Sequence, residues 1–342
     1  MRPRPSGRPT WKRSAPSGSG KWSCSCPRSI APEAEVSFGN WNRKTRPELY
    51  PNTASIESDG CESGTMNMSV ARQTDDLTLT AAGEWWTQHR GQSPVVATAI
   101  HNGHAMRDAM KDLCKLSEEE RLREEDPFTE FIVRDVPNRI VVHRSRFEVD
   151  INRPREGAIY LRPEQAWGLN VWAGDLPSEI TEASLAVHDE YYAMLKSYLR
   201  GIERCHGRFV VLDVHSYNHR RAGPGADPAI AAEAPDVNIG TISMDRKKWA
   251  PVIDGFMEAV QSFDFPGGRL DVRENIAFQG RGYQARFIHE QFPDTGCAIA
   301  VEFKKIFMEE WTGEPFVETL RALRQLLAST LPVIADAVES VR

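Results

Sequence analysis

Three apolar runs limit what this chain can fold into. PVVATAI (94–100), RFVVLDVHS (208–216) and CAIAVEFKKIFM (297–308) are short, rich in β-branched side chains and largely free of polar interruptions. A strand with one wet face alternates polar and apolar residues, so runs like these read as strands covered on both faces. Between them lie stretches with helical spacing. EASLAVHDEYYAMLKSYLRGIERCHG (182–207) reads as a long amphipathic helix ending near a glycine. LSEEERLREED (116–126) places Ser117 three residues before Glu120, the spacing of a capping box. PFVETLRALRQLLASTLPVIADAVES (315–340) predicts a closing helix, kinked or broken at Pro332. NRIVVHRSRFEVDIN (138–152) contains a further strand. Strands alternating with helices predict an α/β fold, with a mostly parallel or mixed central sheet flanked by helices.

The first 75 residues differ from the rest. MRPRPSGRPTWKRSAPSGSGKWSCSCPRS is rich in Arg, Ser, Pro and Gly and has no apolar period. Such a segment buries too little apolar surface to offset the entropy of ordering it. It reads as a disordered tail or as a mis-called start upstream of Met66 or Met68, and its Arg- and Ser-rich composition also suits a transit peptide. Residues 76–342 are expected to form a single α/β domain. The net charge of −6 argues against a general nucleic-acid binder. No stretch approaches the roughly 20 apolar residues of a membrane helix, so the expectation is a cytoplasmic protein with no membrane or nucleic-acid partner. The six cysteines are scattered, with no Cys-x-x-Cys pair, and read as reduced thiols; Cys24 and Cys26 fall in the tail.

In open α/β sheets, ligands bind beyond the carboxyl ends of the strands. Here those ends carry titratable groups. His101 follows the first run, Asp213 and His215 close the second, and Glu302 interrupts the third. Taken singly, each is ordinary: a hydrogen-bonded histidine, a capping aspartate, an ion-paired glutamate. Taken together they match what metal-assisted hydrolysis requires. Catalytic zinc takes three protein ligands and keeps one position for water. A nearby carboxylate then moves the proton, and a further one orients a histidine ligand. His101 and His215 supply nitrogens, Glu302 is the candidate general base, and Asp213 the candidate orienting carboxylate. The third ligand is His104 or Asp126, with Glu130 a weaker choice. Pro127 disfavours helix at Asp126, which suits a fixed carboxylate at a segment boundary.

HRSRFEVDINRPRE (143–156) adds Arg144, Arg146 and Arg153, whose planar guanidinium groups match carboxylates, and the amide of Asn152. By composition alone this is also a solvated basic loop pairing with Glu148 and Asp150.

HNGH, SRFEVDINRP, VVLDVHSYNHR and AVEFKKIFMEE occur in an order that resembles the N-formylglutamate amidohydrolase family, over roughly residues 90–330. That family is similar in fold to zinc carboxypeptidases and aminoacylases. The resemblance implies a phosphorylase- or hydrolase-like α/β fold of the zinc carboxypeptidase architecture and one divalent metal, Zn2+. It implies hydrolysis of the amide of a small-molecule N-acyl acidic amino acid. It makes His101 and His215 metal ligands and Glu302 the base. It makes Arg146, Asn152 and Arg153 contacts to the substrate carboxylate or oxyanion, with Arg144 and Ser216 beside them. Two positions depart from the pattern. Zinc carboxypeptidases place a glutamate three residues after the first histidine, where this chain has His104, and a lysine pair, Lys304 and Lys305, follows the strand glutamate. A peptidase or deacylase of other specificity, and a non-catalytic metal- or ligand-binding descendant, are the alternatives.

Overall fold

The computed structural model describes residues 85–341. Expectations for the first 75 residues, Cys24 and Cys26 included, lie outside them. The strands are β1 (Trp86–His89), β2 (Val95–Ala99), β3 (Asn138–Val142), β4 (Phe209–Tyr217), β5 (Val237–Gly240), β6 (Val272–Glu274) and β7 (Gly296–Lys304). The helices are α1 (Asp108–Lys111), α2 (Glu118–Glu124), α3 (Thr129–Ile132), α4 (Ser178–His206), α5 (Ala250–Ser262), α6 (Tyr283–Gln291) and α7 (Val317–Ser340).

The strands form one mixed sheet in the order β1-β3-β2-β4-β7-β5-β6. Strands β3, β2, β4 and β7 run parallel; β1 pairs antiparallel at one edge, and β5 lies antiparallel to β7. All nine residues of β4 are buried, as its unbroken apolar character predicts. Side-chain alternation splits the core into two layers. Val210, Leu212 and Val214 of β4 pack with Phe256 of α5 and Leu323 and Leu327 of α7. Phe209 and Val211 pack with Tyr191 and Leu195 of α4 and Ile288 of α6. The α/β sandwich read from the sequence is therefore present.

Two local expectations have definite outcomes. The capping box forms: the Ser117 hydroxyl accepts from the Glu120 amide at 3.1 Å, and the Glu120 carboxylate accepts from the Ser117 amide at 2.9 Å. Pro332 lies inside a continuous α7, so the helix does not break there. The ring removes one backbone bond, but Leu326 and Leu327 before it and Ile334 and Val338 after it are all buried in one core layer, so packing carries the helix across the gap. Cys114, Cys205 and Cys297 are free thiols. Among the described residues, no helix is long and apolar enough to cross a membrane.

Candidate metal centre and active site

Asp213 and His215 continue the parity of Phe209 and Val211, so both project toward the α4/α6 side of the sheet. Parallel register sets His215 beside Glu302 and Asp213 beside Ala300. Asp213 is buried. Its Oδ1 accepts from the Thr98 hydroxyl at 2.9 Å and from Gln284 Nε2 at 2.6 Å. The Tyr191 hydroxyl donates to Gln284 Oε1 at 2.6 Å and fixes that amide. Asp213 Oδ2 is thereby aimed at His215 Nε2, 3.2 Å away.

His101 repeats the arrangement. It lies just past β2, and its Nε2 donates to Asp150 Oδ1 at 2.8 Å. Asp150 is fully buried and accepts from Arg146 Nη2 and the Asn152 amide, each at 2.8 Å, and from the Tyr160 hydroxyl. Burial opposes its charge, but Arg146 and His101 hold the carboxyl well below the usual range. Each imidazole has Nε2 committed to a buried carboxylate. In the neutral ring, a proton there leaves Nδ1 as a lone pair.

Both Nδ1 atoms converge on Asp126 Oδ2, at 3.3 Å from His101 and 2.9 Å from His215. Asp126 follows α2, where the chain has turned extended at Glu125. Its amide donates to the His101 carbonyl at 2.9 Å, tying the two segments together. Phe128, with φ of 68°, takes the left-handed conformation that turns the chain into α3. One ligand atom from each of His101, Asp126 and His215 lies within 4.8 Å of the others. His101 Nδ1 is buried and, among the described residues, has no hydrogen-bond partner. Two imidazole nitrogens and a carboxylate suit a divalent transition metal, and an orphaned buried lone pair is what such an ion would satisfy. Burial alone would raise the Asp126 pKa, but the two histidines hold it well below the usual range. Burial opposes charge on His215, and Asp213 and Asp126 raise its pKa well above the ordinary value, so a cation bound at Nδ1 would displace the proton held there against Asp126.

The centre opens into a cavity of about 490 Å³. Glu302 lines it, and its carboxylate takes no hydrogen bond among the described residues. Burial, against the pull of His215, pushes its pKa up to about 8, with Asp126 and Asp213 adding to the rise. An unpaired carboxylate poised near neutrality is suited to proton transfer. Lys305, also buried, donates from Nζ to the carbonyls of Arg123 at 2.6 Å and Glu125 at 2.8 Å. It clamps the segment that carries Asp126 to the end of β7.

The other expected residues divide. Arg153, Asn152 and Ser216 line the cavity. Arg153 Nη2 donates to the Gln165 carbonyl at 3.3 Å, and Asn152 Nδ2 lies 3.4 Å from His215 Nε2. The Ser216 hydroxyl donates to Asp126 Oδ1 at 3.4 Å. Arg146 is present but largely engaged, with Asp150, the Tyr160 hydroxyl at 3.1 Å and the Glu124 carbonyl at 3.3 Å. His104, one alternative for the third ligand, lies elsewhere. Its Nδ1 pairs with Glu125 Oε2 at 2.6 Å, and with Arg144 it lines a separate cleft. Backbone proximity explains this. A Cβ on Gly103 would come within 2.2 Å of the His143 carbonyl carbon, so the chain lies flat on the 143–144 backbone and turns His104 outward. Arg144 is likewise outside the cavity, near Trp85. Glu130 pairs with Asn102 instead: its amide donates to Asn102 Oδ1 at 3.0 Å.

Three contributors escape a reading of the sequence. Asp150 reads as one of the loop's ion-pair partners, although its place between Val149 and Ile151 is a sign of burial. Gln284 and Thr98, which orient Asp213, carry no sequence signal.

A mixed α/β sheet bearing a buried His-Asp-His cluster, a free carboxylate and cavity-lining arginines at its strand ends defines a hydrolase with a candidate metal centre. The chain belongs to the N-formylglutamate amidohydrolase family, whose model matches residues 93–308. Membership makes it an amidohydrolase. The fold agrees with two solved structures. An N-formylglutamate amidohydrolase from Ralstonia eutropha JMP134 aligns at 17% identity and TM-score 0.57, over 76% of this chain and 98% of that one. A gene product of Agrobacterium tumefaciens aligns at 16% identity and TM-score 0.50, over 76% and 97%. No curated protein sequence matches the chain.

Proposed function

We propose that this amidohydrolase cleaves the amide or formamide bond of an N-acyl acidic amino acid such as N-formyl-L-glutamate, using one divalent cation, Zn2+, held by His101, Asp126 and His215. The observation behind this reading is the convergence of His101 Nδ1 and His215 Nδ1 on Asp126, next to the unpaired carboxylate of Glu302. When bound, the cation supplies Lewis acidity, lowering the pKa of a water and polarising the scissile carbonyl.

The chain's own residues do the rest. Glu302 takes the proton of the attacking water and delivers it to the leaving nitrogen. Asp150 and Asp213 keep each histidine's proton on Nε2. Arg153 and Asn152 hold the substrate's α-carboxylate, and Ser216 steadies Asp126. Arg146 anchors Asp150 and directs its remaining N–H groups at the oxygen that gains charge.

Metal content and formate release, measured on one preparation before and after chelation, test the reading. One equivalent of zinc and chelator-sensitive formate release from N-formyl-L-glutamate are expected. Glu302→Gln should keep the metal and lose at least about 100-fold in turnover, the scale of general-base catalysis. A chain that takes up no metal when zinc is added back refutes the centre. Full activity in the metal-loaded Glu302→Gln variant removes Glu302 from its role.

A further inference from the structure

The cations around the cavity are not equivalent. Arg146 is bound to Asp150, and Arg221 makes a fork to Glu124 with both contacts at 3.2 Å. Lys305 is spent on two backbone carbonyls. Arg153 keeps part of its fork free. Arg281 differs: its side chain lines the cavity, is exposed, and has no hydrogen bond or ion pair among the described residues.

An exposed arginine is usually a solvated surface group, and the backbone beneath this one argues otherwise. Arg281 lies in the segment Gly280-Arg281-Gly282, and neighbouring backbone or side-chain atoms crowd both glycines. A Cβ on Gly280, whose φ is +71°, would come within 2.5 Å of the Gly240 carbonyl. A Cβ on Gly282 would come within 2.4 Å of Asn152 Oδ1. Upstream, the buried Asn238 accepts from the amides of Ile276 at 2.9 Å and Ala277 at 2.8 Å. Downstream, the amides of Tyr283 and Gln284 donate to the Asn152 carbonyl at 2.9 Å and to its Oδ1 at 3.2 Å. The loop is pinned on both sides of Arg281, and one of its anchors is Asn152. A cation on a rigid mount costs little ordering entropy when it meets an anion.

We propose that Arg281 reads a second carboxylate, the one on the substrate's side chain, and so sets selectivity for dicarboxylic over neutral N-acyl amino acids. This rests on the reading of the cavity as an N-acyl amino-acid site. There Arg153 and Asn152 take the α-carboxylate, and the shared anchoring through Asn152 fixes the spacing to Arg281.

The test compares binding with turnover. L-Glutamate and L-glutamine are titrated calorimetrically into the metal-loaded enzyme and its Arg281→Gln variant, and formate release is followed for the corresponding N-formyl substrates. A charge-assisted, forked contact predicts that the wild type favours L-glutamate by about 10- to 100-fold and that Arg281→Gln loses that preference. A preference that persists in the variant overturns the assignment, as does its absence in the wild type. Loss of the preference without formate release from either substrate overturns the amidohydrolase substrate reading and leaves Arg281's role standing.

Discussion

Asp213→Asn tests whether the carboxylates behind the histidines act through the tautomer. The substitution is isosteric. The new carboxamide can still present its oxygen to Thr98 and Gln284, which now donate to Asp213 Oδ1 at 2.9 and 2.6 Å. Its nitrogen then occupies the place of Oδ2, 3.2 Å from His215 Nε2. Two donors face each other across that gap unless the imidazole moves its proton to Nδ1. A proton on Nδ1 removes the lone pair that faces Asp126 and would bind a metal. The cost is one charge-assisted hydrogen bond, about 1.5–3 kcal/mol. That corresponds to a loss of roughly 10- to 100-fold in metal affinity, the usual effect of removing such a partner.

Competition with a chelator of known affinity measures this, and a thermal melt of the metal-free protein serves as control. The fold should survive, because Asp213 is buried and its replacement keeps both acceptor contacts while removing a charge from the interior. Unchanged zinc affinity in Asp213→Asn would refute the tautomer argument. A fall in affinity matched by a collapse of the metal-free melt would make Asp213 a structural residue instead.

Two other perturbations follow from the same geometry. Lys305→Met releases the carbonyls of Arg123 and Glu125; with the segment before Asp126 loosened, zinc affinity should fall about tenfold, and equal affinity in the variant would break the link. His289 is neutral and accepts from the Ala298 amide at 2.9 Å, and burial pushes its pKa down to about 4. Because the unfolded chain binds this proton near pH 6.5, the folded state holds fewer protons between pH 4 and 6.5, and stability falls as pH drops through that window, by up to about 3 kcal/mol. Urea denaturation at pH 7 and pH 4.5 should show a smaller loss in His289→Gln than in the wild type; an equal loss places the acid sensitivity elsewhere.

The sheet and its strand ends were legible because burial on both faces leaves unbroken apolar runs, and a titratable group at the end of such a run stands out. Asp126 was less so, since its role depends on the extended turn at Glu125 after α2 and on the bond from its amide to the His101 carbonyl just past β2. His104 was the plausible rival on spacing alone. Only the close approach of Gly103 to the backbone of residues 143–144 shows why it faces outward. Arg144 and Arg146 show the same limit: two residues apart in sequence, they line different cavities. Local spacing says which groups can meet, whereas backbone packing against distant segments decides which do.

The doubling of the carboxylate-backed histidine has a physical origin in that packing. His215 and Asp213 are two apart on one strand and so share a face, which makes their pairing a consequence of the β period. His101 has no such neighbour: the residue two before it, Ala99, packs into the opposite core layer. Its carboxylate must come from another segment. Asp150 fills that place, but a buried acid on a loop needs neutralising from outside, which Arg146 and the Tyr160 hydroxyl provide. The basic loop that looked like a substrate clamp therefore serves first to hold a negative charge behind His101. Only those of its arginines that keep free N–H groups in the cavity, Arg153 above all, are left to meet a ligand.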